Sequence, residues 1–125
     1  MMHDSPKRAV RCVRLATEDA PALSSLESRC FALPWTEQAF AEAFAGKTFH
    51  AFGIRETASP LSPRELAGYI AVYHTPDEVE ILNIAVREDR RRHGYGRLLM
   101  ATALQDAKET GILQGVLEVR ISNAP

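Results

Sequence analysis

The chain has 125 residues, a formal net charge of −1, 46% hydrophobic residues and 25% charged residues. That length holds one domain with a single modest core, and the near-neutral balance provides no global field toward nucleic acid or an acidic membrane surface. No run reaches the roughly 18–20 apolar residues of a membrane span, and the start from Met1 to Arg8 lacks the apolar segment of a secretory signal.

Two cysteines, Cys12 and Cys30, show no C-x-x-C and no metal-like spacing. They fit free thiols in a reducing cytoplasm, with no metal implied. Ala9 to Leu15 reads as a first strand with Cys12 buried on it. Thr17 is expected to cap a helix beginning Glu18-Asp19-Ala20-Pro21, since acidic residues and a first-turn proline suit a helix start. That helix should run to about Phe31, where Ala32-Leu33-Pro34 breaks it. Thr36 caps a second helix, with Trp35 and Phe40 at the two positions of a hydrophobic staple and Gly46 as its stop. Three strands follow: Thr48 to Arg55, Leu66 to His74 and Val79 to Val86. The polar, proline-bearing segment Glu56 to Arg64 reads as a hairpin loop and Thr75-Pro76-Asp77-Glu78 as a tight turn, so these strands should be antiparallel. A helix opens after Gly94 and ends near Gly111. The last strand, Val116 to Ile121, returns through that whole helix and should pair parallel with the Val79 strand. The order β-α-α-β-β-β-α-β is an α+β fold, a mixed and mainly antiparallel sheet flanked by helices. Residues 1–125 form one domain.

The chemistry concentrates after the Val79–Val86 strand. Arg87 to His93 is a basic run, and Gly94-Tyr95-Gly96-Arg97 opens the helix. Glycines let backbone N–H groups approach a phosphate, and a helix N-terminus adds about half a unit of positive charge. The arginines add counter-charge. Such a run is also compatible with a plain solvated turn, but here the basic loop, the paired glycines and the helix start coincide. Two nucleotide-type motifs fail. Gly46-Lys47-Thr48 mimics the end of a Walker A loop, yet Ala41 stands where its first glycine belongs and strand and helix come in reversed order. A dinucleotide fingerprint starting at Gly94 would need glycine where Leu99 stands. An RNA-binding domain using Arg87 to Arg92 lacks an interleaved series of aromatic residues and an overall basic charge.

Arg91-Arg92-His93-Gly94-Tyr95-Gly96 reads as R-x-x-G-x-G, and with this motif after three consecutive strands the chain resembles the GNAT superfamily of acetyl-coenzyme A-dependent acetyltransferases. Phe31-Ala32-Leu33-Pro34-Trp35-Thr36, Leu82-Asn83-Ile84-Ala85-Val86 and Leu117-Glu118-Val119-Arg120-Ile121-Ser122-Asn123-Ala124 resemble the ribosomal-protein-alanine N-acetyltransferase (RimI) branch. The resemblance runs from about Val10 to the last residue. It implies an enzyme using acetyl-CoA as co-substrate to acetylate the N-terminal alanine of a ribosomal protein in the cytoplasm, with no nucleic acid or membrane as direct partner. It also implies roles. Backbone groups at Ile84, Ala85 and Val86 hold the acetyl-pantetheine part. Arg91 opens the motif, and Arg92, His93, Gly94, Tyr95, Gly96 and Arg97 hold the pyrophosphate. Asn123 holds the coenzyme from the opposite wall, and Glu118 is the general base.

The residues themselves fit direct transfer. A free α-amine has a pKa near 8, so a weak base such as Glu118 suffices to take its proton, directly or through water. Neither cysteine has an adjacent base in sequence, which disfavours a covalent intermediate. His50 and His74, in strand-like stretches, read as packing or surface residues, and His93 as a loop residue offering its backbone N–H. Trp35 and Phe31 read first as staple and core, with an edge available to a peptide. The resemblance further implies a C-terminal segment with a tyrosine acting as general acid; Tyr69, Tyr73 and Tyr95 do not match its position. The domain is therefore expected to be C-terminally incomplete, its final strand open to self-association. The alternative function is a catalytically impaired module that binds coenzyme A or a partner.

Overall fold

In the computed structural model, which describes residues 9–57, 59–76, 78–111, 114–116 and 120–121, four strands follow one another as an antiparallel meander. They are β1 (Ala9–Arg14), β2 (Phe49–Thr57), β3 (Gly68–His74) and β4 (Glu78–Val86). The last strand appears as β5 (Gln114–Val116) and β6 (Arg120–Ile121), both parallel to β4, as expected for a return through a helix. Helices α1 (Ala20–Cys30) and α2 (Glu37–Ala45) cover one face, and α3 (Tyr95–Glu109) covers the other. The expected α+β order is the observed one. Among the described residues no helix is long and apolar enough to cross a membrane.

Alternation along the strands divides the core. Phe52 and Ile54 of β2 and Ile70 and Val72 of β3 pack under Leu99 and Ala103 of α3. Phe49, Ala51, Tyr69 and Ala71 face the opposite way, against Leu23, Leu26 and Phe40 of α1 and α2. The second helix starts as its sequence predicts. Thr36 Oγ1 accepts the Ala39 N–H at 3.0 Å, a cap worth about 1 kcal/mol. The Trp35 and Phe40 rings lie 5.2 Å apart, closing the staple.

Three expectations are corrected. Thr17 does not cap α1. A 3₁₀ turn at Thr17–Asp19 precedes the helix, and the Asp19 carboxylate reaches back to the Ala16 N–H at 2.9 Å. Cys12 is half-buried, whereas Cys30 is the buried thiol. Glu56 is no loop residue: β2 runs on to Thr57, and Glu56 pairs with Val10 of β1.

One irregularity shapes the rest. Ile81 pairs with Val72 and Asn83 with Ala71, which leaves Leu82 without a partner on β3. This is a β-bulge, one extra residue on β4. Val79 and Ile81 point under α3, Leu82 faces α1 and α2, and Asn83 shares that face with Ala85, while Ile84 and Val86 turn back under α3.

Candidate functional site

β4 delivers the chain to a tight, basic turn. Arg87 leaves the strand with its N–H donated to Ala67 O at 2.9 Å, and Glu88–Arg90 make a single 3₁₀ turn. Arg91 is extended. Arg92 is left-handed at φ 67°, an unusual state for a residue with a side chain, and Gly94 is left-handed at φ 78°. α3 starts at once, with Gly94 O accepting the Leu98 N–H at 3.0 Å; its N-cap, Gly94, has no side chain to cap the first amides. Left-handed residues next to an uncapped helix start aim main-chain N–H groups into one concavity, an arrangement that suits anions. A Cβ added at Gly94 or Gly96 would meet no atom within 4 Å, so the space beside both glycines is left open by the protein. These residues fit a diphosphate group.

The arginines divide into two sets that the sequence did not separate. Arg87 is buried and binds Asp89 through Nε and Nη2, each at 3.0 Å, with Glu65 at 3.3 Å; these hydrogen bonds draw the Asp89 carboxyl down to about 2. Arg90 is buried and bound to Glu56. Neither is available to a ligand. Arg92 and Arg97 are exposed, and Arg91 is half-buried with its Nε donating to Val86 O at 3.2 Å. His93 is exposed, and its Nδ1 lies 3.0 Å from Arg90 O and 2.9 Å from Arg91 O, so this nitrogen carries the proton and donates back to the loop's own carbonyls. Tyr95 is buried as the first residue of α3. Ile84, Ala85 and Val86 form the β4 segment leading into this turn, with Ala85 buried and its neighbours half-buried. Asn83 and Ile84 pair with Arg120 and Ile121 of β6. Glu118 and Asn123 lie outside the described residues.

Beside the bulge sits a polar cluster that sequence reasoning missed. Glu27 of α1 is fully buried; its carboxylate accepts the Trp35 N–H at 3.0 Å and the Tyr69 hydroxyl, and Asn83 Nδ2 donates to that hydroxyl oxygen at 3.0 Å. The cluster ties the loop between α1 and α2 to the bulged part of β4. A glutamate on an amphipathic helix carries no sign of such burial; only the fold brings Asn83 to it. On the other face, the His50 and His74 rings lie 4.1 Å apart beside Arg14 of β1 and Asp106 of α3. Burial lowers both imidazole pKa values; Arg14 reinforces this at each ring, His74 also does so at His50, and Asp106 opposes it. Burial also raises both thiol pKa values, Cys12 and Cys30 alike.

Comparison with known proteins gives the family and the fold. Residues 20–125 match the family model described as acetyltransferase (GNAT) family. The ribosomal protein bS18-alanine N-acetyltransferase of Salmonella typhimurium is 33% identical over 110 residues, 88% of this chain and 70% of that protein. The crystal structure of the ribosomal-protein-S18-alanine N-acetyltransferase from Escherichia coli superposes with a TM-score of 0.77 at 31% identity, covering 93% of this chain and 70% of that one. An aminoglycoside N-acetyltransferase in complex with CoA shares the fold, with a TM-score of 0.74 at 11% identity over 94% of this chain and 82% of that one.

Proposed function

The chain belongs to the acetyltransferase (GNAT) family, and from that premise we propose that it transfers acetyl from acetyl-CoA directly to the α-amine of an N-terminal alanine on a ribosomal protein. The observation that carries the coenzyme half of this reading is the turn from Arg91 to Gly96. Two left-handed residues lead into a helix start whose N-cap is a glycine, and the space beside Gly94 and Gly96 is open. The acceptor half rests on the relatives named for bS18 alanine acetylation.

The co-substrate supplies an activated thioester and a diphosphate by which it is held. Main-chain groups at Ile84, Ala85 and Val86 hold the acetyl-pantetheine arm along β4. Arg91, Arg92, His93, Gly94, Tyr95, Gly96 and Arg97 take the diphosphate, mostly through N–H groups, with Arg92 and Arg97 adding charge. Asn123 supports the coenzyme from the far wall. Glu118 accepts the amine proton, directly or through water; an α-amine with a pKa near 8 asks little of it. Charge developing on the carbonyl oxygen is met by a β4 N–H near the bulge, where pairing with β3 is interrupted. Burial keeps Cys12 and Cys30 protonated, which supports transfer without an enzyme nucleophile. The protein works in the cytoplasm, where ribosomal substrates are met, and the β5 and β6 side of the sheet is a place for self-association.

Mass spectrometry of an alanine-initiated peptide incubated with acetyl-CoA tests this directly. The peptide gains one acetyl group at its α-amine, and Glu118→Gln lowers turnover while CoA affinity is kept. A flat time course with CoA binding intact would instead make the chain a coenzyme-binding module. Unchanged turnover in Glu118→Gln would remove that residue as the base.

A further inference from the structure

We propose that Glu56 is a positioning residue for the diphosphate-binding turn, holding both of its ends on one buried carboxylate. This rests on the coenzyme reading above and says how the turn keeps its shape. Glu56 stands near the end of β2 on the α3 face, and its side chain is 0% exposed. Arg90 Nε donates to Oε1 at 3.0 Å and to Oε2 at 2.9 Å. The Tyr95 hydroxyl donates to Oε2 and the Ser59 hydroxyl to Oε1. Arg90 is the last residue before the turn and Tyr95 the first residue of α3, so residues 91–94 are a short loop whose two ends share one anchor.

The arrangement has a clear physical use. Residues 91–94 include the left-handed Gly94 and the left-handed Arg92, the latter a conformation a free loop would leave. Fixing the ends limits what the loop can explore, so less ordering remains to be done when an anion binds. Glu56 does not touch the ligand. A bare carboxylate near a diphosphate would repel it, but this one is enclosed and neutralised by Arg90. Burial by itself raises the Glu56 pKa, yet the hydrogen bonds from Ser59, Tyr95 and Arg90, with the charge of Arg90, outweigh burial and leave it lowered, so the anion persists at neutral pH.

The test compares two ligands on the intact chain: CoA, by calorimetry, and pantetheine, which lacks the diphosphate, by NMR titration. Glu56→Gln is expected to raise the CoA Kd about tenfold and to leave the pantetheine Kd within about twofold. Tyr95→Phe removes one donor, leaves Arg90 and Ser59 in place, and is expected to raise the CoA Kd about threefold; it serves alone where Glu56→Gln does not fold. A merely structural role would weaken both ligands alike, and that result overturns the proposal. So does a CoA affinity unchanged in both folded variants. A parent chain binding CoA no better than pantetheine overturns the coenzyme reading itself, and the role of Glu56 with it.

Discussion

Arg92 separates backbone strain from ligand charge in one side chain. It holds φ 67° at the centre of the turn, with its side chain exposed. A non-glycine residue in this region costs about 1 kcal/mol or slightly more. Arg92→Gly removes that cost but frees the unfolded chain by about 0.5–1 kcal/mol. The two nearly cancel, so the melting temperature should move by no more than about 3 °C. Arg92→Ala keeps both the strain and the unfolded-chain freedom of the parent, so it should melt within about 3 °C of the parent and of the glycine variant. Affinity behaves differently. A charge-assisted hydrogen bond from guanidinium to phosphate is worth about 1.5–3 kcal/mol, and solvent exposure favours the lower end. Both variants should therefore bind CoA about tenfold more weakly, with a smaller loss at high salt. Thermal unfolding and calorimetric titration of the three proteins give all the quantities needed. A glycine variant less stable than the alanine variant by the full ~0.5–1 kcal/mol of glycine's unfolded-state freedom would refute the left-handed backbone, and an unchanged CoA Kd would refute a guanidinium facing the diphosphate.

Leu99 of α3 is fully buried against the sheet, and Leu99→Ala should cost about 2–5 kcal/mol in denaturant unfolding; a loss below about 1 kcal/mol would mean that the helix carrying the turn is not seated as described. Acidification should destabilise the protein through His50 and His74, which face each other, Arg14 and Asp106. Their folded pKa values lie below the ordinary 6.5. The unfolded chain therefore binds more protons between the folded value and 6.5, and stability is complete above pH 6.5 and lost below it. The melting temperature should fall between about pH 7.5 and 5.5, and His50→Gln should flatten that fall; a profile that rises on acidification contradicts the burial of these rings.

What could be read from the sequence was whatever its neighbours in sequence decide. Thr36, Trp35 and Phe40 lie within one helix start, and cap and staple form as expected. The basic turn was legible because glycines, arginines and a helix start are contiguous. Glu56 was not. It precedes a polar, proline-bearing stretch and looks like the start of a loop, while its partners Arg90 and Tyr95 lie 34 and 39 residues away. The same holds for the arginines. Composition counts six basic or acidic neighbours in a row, but only the fold tells Arg87 and Arg90, consumed by internal carboxylates, from Arg92 and Arg97, left exposed. Thr17 failed for a related reason: Asp19 competes for the same helix start and satisfies the Ala16 N–H itself.

The bulge at Leu82 is the deeper case, because strand alternation predicts the wrong face beyond it. A strict period of two would put Val79, Ile81, Asn83 and Ala85 on one side, under α3. There Asn83 would bring an amide into a cluster of Ile70, Val72 and Leu99, at about 1–3 kcal/mol for an unsatisfied polar group. One extra residue removes this conflict. It sends Asn83 to Tyr69 and Glu27 and returns Ile84 and Val86 to the apolar side. The same residue interrupts the pairing with β3 shortly before β4 delivers the chain to the Arg91–Gly96 turn. Burying the Asn83 amide with partners and keeping Ile84 and Val86 on the apolar side are thus two consequences of a single insertion.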